Sequence, residues 1–225
     1  MKEDNDNSLI PIGSTGLVRV GNSIDITNKI IKEHEERSIS QIFNSVKIGN
    51  QYWMTKNLDV DCYANGDPIP QVQNPKEWDN LRIGAYCYYD NDSNNGLKYG
   101  KLYNYFAIKD ERGLAPSGFC VSKLEDWKIL FHFLGENALL YKSTNGWKDN
   151  GNGNNQSRMN ILPGGHRMTV GAFFGLNEYT CFWTSNEFSA GYSLYIDFSY
   201  YSDSAFIFSE GANWKRGYYI RCLKF

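Results

Sequence analysis

The chain has 225 residues, with 23 basic against 25 acidic side chains and a formal net charge of −2. That balance excludes the basic stripe a nucleic-acid binder needs to neutralise phosphates. A hydrophobic content of 41% excludes wholesale disorder. The anomaly is an aromatic fraction of 16%, in which Tyr (16 residues) outnumbers Phe (13) and Trp (6), so much of this surface carries a polar tip and need not be buried.

The opening Met1-Lys2-Glu3-Asp4-Asn5-Asp6 is acidic and polar, without an apolar h-region. No apolar run approaches the roughly 18 residues of a membrane span, so none is expected. Taken literally, the chain begins in the cytoplasm; an acidic, Asn-rich start equally fits a protein whose leader is missing. Residues 1–45 lack Trp and Tyr and form a separate N-terminal segment. Within it Asn22 to about Arg37 reads as a helix, capped by Asn22 or Ser23, with Ile24, Thr27, Ile31 and His34 on one face. It is expected to tether the protein or dock a partner, with His34 at the surface.

From Val46 the texture changes to short strands and turns. Val46-Lys47-Ile48, Gly49-Asn50 and Gln51-Tyr52-Trp53-Met54 predict a hairpin. Pro68, Pro70 and Pro75 mark an extended loop. Asp90-Asn91-Asp92-Ser93-Asn94-Asn95-Gly96 starts like an EF-hand loop, but Lys101 stands where the bidentate Glu is required. Leu124, Trp127, Leu130, Phe131 and Leu134 give a helical period, with Ser122 as N-cap, Glu125 at capping-box spacing and Gly135 as the stop. The loop Asp149-Asn150-Gly151-Asn152-Gly153-Asn154-Asn155 is polar and turn-rich, unsuited to a core. In the last third, Ser193 to Ser199 alternates, placing Leu194, Ile196 and Phe198 on one face and Tyr195, Asp197 and Ser199 on the other. With Ala205–Phe208 and Tyr218–Leu223, an antiparallel meander is expected.

The five cysteines (Cys62, Cys87, Cys120, Cys181, Cys222) are odd in number, widely spread and never in a C-x-x-C pair, which suggests neither zinc ligation nor a disulfide framework. They are expected to be mostly small buried hydrophobes. No metal and no cofactor is expected.

Six stretches in order carry a resemblance: Ile48-Gly49-Asn50-Gln51-Tyr52-Trp53-Met54-Thr55-Lys56-Asn57-Leu58; Gly100-Lys101-Leu102-Tyr103-Asn104-Tyr105; Gly113-Leu114-Ala115-Pro116-Ser117-Gly118-Phe119; Leu162-Pro163-Gly164-Gly165-His166-Arg167; Phe182-Trp183-Thr184-Ser185; and Tyr219-Ile220-Arg221-Cys222. Together residues 46–225 resemble the Fibrobacter succinogenes major paralogous domain, common in Bacteroidetes and related to the C-type-lectin-like and formylglycine-generating-enzyme folds. The resemblance implies an α+β, C-type-lectin-like fold with short antiparallel sheets, two flanking helices and long loops. It also implies Trp53 and Trp183 as framework and Cys222 as a core position.

In lectin-like domains the binding face lies just before the terminal strand, here near 186–214. The expected outward, ligand-binding positions are Tyr192, Tyr195, Asp197, Ser199, Tyr201, Asp203, Phe206, Phe208 and Trp214. Tyr and Ser with a few Asp combine rigid amphipathic area with adaptable hydrogen bonding; the competing reading is that Tyr and Phe merely form strands. The segment also resembles the hypermutated end of a variable protein of a diversity-generating retroelement. The expectation is a non-enzymatic binder of a protein or carbohydrate ligand on a cell or phage-host surface, itself cytoplasmic or phage-borne, or else a surface lipoprotein with its leader omitted. The alternatives are a relative of the formylglycine-generating oxidases, for which no closely spaced cysteine pair exists, and a calcium-independent carbohydrate binder. Trp183-Thr184-Ser185-Asn186-Glu187 lacks the proline and second acid of a calcium lectin. His166, in a Gly-Gly turn, and His132, off the apolar stripe of its helix, receive no catalytic role.

Overall fold

The computed structural model describes residues 10–11, 17–18 and 45–224, with side chains given from 45 onward except at 208–210. The helix expected over 22–37, and His34 with it, lies outside the described residues. The chain divides into two units, residues 1–43 and 44–225. In the first, β1 (Ile10–Pro11) pairs with β2 (Leu17–Val18) in antiparallel register.

The second unit is α+β, with sheet predominating. The expected hairpin forms from β3 (Ser45–Ile48) and β4 (Gln51–Met54), turning on Gly49 at φ 59°, a left-handed conformation that glycine adopts without strain. Helix α1 (Pro75–Asn80) follows the proline-marked loop. Pro75 opens it, where a missing N–H costs nothing, and the Asn74 side chain accepts from the amides of Lys76 and Glu77. β5 (Tyr86–Cys87) pairs with β6 (Leu102–Tyr103) around α2 (Ser93–Tyr99). The segment that begins like a calcium loop is therefore a helix start: Asp92 caps α2 by accepting from the Asn94 amide, and Lys101 is buried against Asp59. The short α3 (Tyr105–Lys109) and β7 (Phe119–Val121) lead to α4 (Leu124–Leu134), the 11-residue helix predicted from spacing.

The cap of α4 differs from expectation. Lys123 holds the N-cap position, its amide donating to the Asp126 carboxylate, while the Leu124 amide donates to the Asn186 side chain 62 residues away. Ser122 is instead fully buried and accepts from Trp127 Nε1 at 2.9 Å. Of the two flanking helices expected, α4 alone among the described residues exceeds two turns.

After α4 come β8 (Gly164–Arg167), β9 (Phe173–Leu176), β10 (Tyr179–Ser189), β11 (Tyr192–Ser199), β12 (Phe206–Asn213), β13 (Tyr219–Ile220) and β14 (Cys222–Lys224). β10, β11 and β12 form the expected antiparallel meander. The terminal run does not join it. β13 lies parallel to β10 in the six-stranded sheet β12-β11-β10-β8-β9, whereas β14 enters a second sheet, β3-β4-β14-β7, between β4 and β7. Arg221 sits at the crossing. The 149–155 loop is also more closely packed than its polarity implies: a side chain at Gly151 would meet the Tyr200 carbonyl, and one at Gly153 the carbonyls of Leu139 and Lys142.

Trp127 joins the layers. Its ring lies 4.8 Å from Trp53 on β4, 5.6 Å from Phe182 on β10 and 6.3 Å from Phe198 on β11. Trp53, Trp78, Trp127 and Trp183 are all fully buried, as expected of framework residues. Trp127→Ala removes the shared contact of both sheets with α4 and leaves the Ser122 hydroxyl unpartnered. It is expected to cost about 3–5 kcal/mol, with Trp127→Phe costing distinctly less; equilibrium denaturation of the two variants measures the difference.

Candidate aromatic binding face

The register of the meander determines which side chains share a face. Residues directly opposite in antiparallel strands point the same way, so Cys181, Asp197 and Phe206 form one row and Trp183, Tyr195 and the 208 position the next. The other face of these strands, with Phe182, Ile196 and Phe198, is the core packed on α4.

The outer face is not a simple wet surface. Asp197 is only 7% exposed and Ser199 is wholly buried, its hydroxyl without a hydrogen-bond partner among the described residues. This corrects their expected outward placement. A second layer covers them: Tyr218 packs on Trp183 at 4.5 Å and Tyr195 at 5.1 Å, and His166 packs on Tyr218 and Phe174, each at 5.6 Å. His166 lies in β8 rather than a turn and is buried. From His166 the ring contacts continue through Phe174 to Tyr179 and Tyr201, at 5.8 and 6.0 Å. In the other direction they pass through Trp183 to Tyr105 and Trp214, at 5.2 and 5.5 Å. These rings thus form one continuous ladder across the face.

Its rim is open. Tyr201 is 65% exposed and Phe174 51%, and Phe206 is also exposed. Trp214 is half-buried; its Nε1 donates to Ser193 Oγ at 2.9 Å and Lys109 Nζ sits 4.5 Å over its ring. The structure therefore brings Tyr195, Phe206, Tyr201 and Trp214 onto one connected face, with Asp197 buried beneath it. Tyr192, which is exposed, stands near the β10–β11 turn, paired with Ser189 and Asn213. Asp203 does not join: it is exposed in the turn before β12, where its carbonyl accepts from the Ala138 amide. For Phe208 the backbone register opposite Tyr195 is what is described.

Sequence reasoning missed His166, Phe174, Tyr179, Cys181 and Tyr218. The alternation Tyr179-Cys181-Trp183 was the available signal; the other three reach the face from distant segments.

At the floor, Cys181 Sγ lies 3.7 Å from Asp197 Oδ1 and 3.9 Å from His166 Nδ1. Burial, then the Asp197 charge, push the Cys181 thiol well above its ordinary value. Burial, with repulsion from Arg216, lowers His166 to about 4. Asp197 is pushed up to about 6 by burial, which the Cys181 thiol, the Phe198 amide and Lys142 offset only in part. At neutral pH the cluster is a thiol, a neutral imidazole and a carboxylate, without the thiolate that nucleophilic chemistry uses. Cys181 and Cys222, the two cysteines of the C-terminal region, lie in different sheets, and all five cysteines are free. Cys87, Cys181 and Cys222 are buried as expected; Cys62 is exposed. Among the described residues no three His, Cys, Asp or Glu side chains converge as a metal site, and no helix is long and apolar enough to cross a membrane. The side-chain oxygens of the lectin-like stretch are engaged elsewhere, Asn186 on α4 and Glu187 with Lys109.

One family model, the Fibrobacter succinogenes major domain, matches residues 46–224. The chain belongs to that family. Comparison with curated proteins and with solved structures gives no match.

Asp197 and His166 oppose each other in pH dependence. The raised Asp197 value favours the fold below about 4, and that contribution is lost as pH rises through about 6; the depressed His166 value favours the fold above about 6.5, and that contribution is lost as pH falls through about 4. Their contributions largely cancel across this window. Asp197→Asn is expected to unmask a loss of stability on acidification from pH 6.5 to 4.5, and His166→Gln a gain. Denaturant midpoints at pH 4.5, 5.5 and 6.5 measure both, and parallel profiles for the two variants would contradict the assignment.

Proposed function

We propose that this member of the family is a non-enzymatic ligand-binding protein on a C-type-lectin-like scaffold, recognising a protein or carbohydrate on a cell or phage-host surface. The observation that carries the reading is the aromatic face: exposed Tyr201, Phe206 and Phe174 rim a floor of buried Tyr218, Trp183 and Asp197. Large aromatics left in water on a rigid sheet cost solubility and are the side chains that dominate contact energy at interfaces. The floor supports binding rather than turnover, because its thiol is held protonated.

A finer proposal is that the segment from Tyr192 to Asn213 is the diversified part of a retroelement variable protein. Support comes from its mixture of Tyr, Ser, Asp, Asn and Phe between the fully buried Trp183 and the nearly buried Arg221-Cys222. A gene neighbourhood without a reverse transcriptase and without a near-copy of the 3′ end would remove this finer claim and leave the binding role standing.

The binding role is tested by screening the whole chain against a glycan array and a panel of bacterial surface proteins. The double variant Tyr201→Ala, Phe206→Ala is expected to lose at least about 100-fold in affinity for whatever the parent captures, since hot-spot truncations cost roughly 2 kcal/mol or more. Its unfolding midpoint should move little, because both side chains are exposed. Undiminished capture by this variant would sink the assignment.

A further inference from the structure

A cavity of about 340 Å³ opens on a different part of the domain, between the segment after β4, helix α2 and the crossing from β13 to β14. It shares no residue with the aromatic face. Its walls include Lys56, Asn57, Leu97, Lys98, Leu162 and Arg221.

Arg221 is the informative member. Its side chain is almost completely buried. Nε donates to Asn57 Oδ1 at 2.7 Å, and Nη1 to the carbonyls of Met54 and Met159, both at 2.8 Å. Among the described residues Nη2 has no hydrogen-bond partner and no carboxylate pairs with the guanidinium. Burial accordingly lowers Arg221 to about 9, opposed only by Cys222.

The same domain shows what a fully satisfied buried arginine looks like. Arg167 uses all three nitrogens on carbonyls, Nε on Gly171, Nη1 on Val72 and Nη2 on Gln73, and stacks on Trp78 at 4.3 Å. Arg221 also lies over a ring, Phe182 at 5.6 Å, but uses only two of its three nitrogens. A buried cation left without an anion is costly, and the cost is relieved by any oxyanion that reaches it.

The remaining walls suit such a guest. Lys56 and Lys98 are exposed, so the cavity presents three cations. The one acid in the wall, Asp59, is already held by Lys101 at 2.6 Å. Asn57 is spent as well, since its Nδ2 donates to the Tyr99 carbonyl. Leu97, which is 88% exposed, and half-buried Leu162 offer apolar surface beside the charge. We infer that this cavity is a binding site for a small oxyanion-bearing ligand, with Arg221 as its buried donor, Lys56 and Lys98 at its mouth, and the carbon frame of the ligand against Leu97 and Leu162.

The test is a titration of the ¹⁵N-labelled whole chain with sodium sulfate, sodium phosphate and sodium glucuronate, ionic strength being held constant with sodium chloride. Saturable shifts are expected at residues 55–57 and 96–100 and at the Arg221 Nε–H. The Lys56→Ala, Lys98→Ala double variant, which alters only exposed side chains, should weaken binding about tenfold. Arg221→Lys should abolish saturation, and if that variant does not fold the lysine pair carries the test. Saturation by glucuronate alone identifies a carboxylate on a carbon frame; saturation by sulfate or phosphate identifies a free or esterified tetrahedral anion. Shifts that never saturate, or that persist undiminished in the lysine double variant, overturn the site. Because no aromatic-face residue is altered, the outcome is independent of the binding role proposed for that face.

Discussion

Strand β10 is buried on both faces from Thr180 to Thr184, and the rest of the domain is arranged around that constraint. An antiparallel sheet commonly packs one face and leaves the other to water. Here Phe182 looks into the core beneath α4, while Cys181 and Trp183 look into a second layer made by His166, Tyr218 and Tyr105. Short strands and connections have little aliphatic bulk to offer, so the layer is built from rings. Rings with polar tips also satisfy the irregular backbone around them: Trp183 Nε1 donates to the Tyr103 carbonyl, Tyr103 Oη to Val60, Trp78 Nε1 to Lys215 and Tyr219 Oη to Gly164. The aromatic excess is the material of a two-sided sheet first and of a surface second.

The same constraint separates what could be read in the sequence from what could not. Helix α4 was legible because its period, its glycine stop and its tryptophan are local. The β3–β4 hairpin was legible because its turn residues lie between its strands. The family was legible because six short motifs occur in order. The split of the C-terminal run was not, since nothing within Tyr218–Leu223 says that Ile220 pairs with Trp183 while Leu223 pairs with Trp53 and Cys120. The burial of Asp197 and Ser199 was hidden for a related reason. Alternation along β11 correctly separates its two faces but cannot report that residues 166 and 218, far away in sequence, cover the second one. Asn186 is the converse case, a polar residue in the expected binding region that caps a helix instead.

Floor and rim of the aromatic face differ in what a substitution does. At the floor, each side chain is held by groups from several segments: Tyr218 touches rings on β8, β10 and β11, and Asp197 balances a thiol against burial. Changing one of them leaves a buried partner exposed or unpaired, which costs stability before it changes recognition. At the rim, Tyr201 leans edge-on against Tyr179 and Tyr200 and is otherwise in water, and Phe174 is about half exposed. Such positions can vary with little effect on folding. On the proposed reading, a scaffold of this kind changes partner by altering its rim while the buried rings keep the sheet flat and rigid beneath. Two buried groups with little compensation, the Asp197 carboxylate raised by burial and the Ser199 hydroxyl, lie in that floor. A ligand donor reaching Asp197 would therefore gain from an acid that the protein itself leaves weakly partnered. On the proposed reading, hydrogen-bond acceptance by Asp197 at the centre, with ring contact around it, is the recognition chemistry this face would offer.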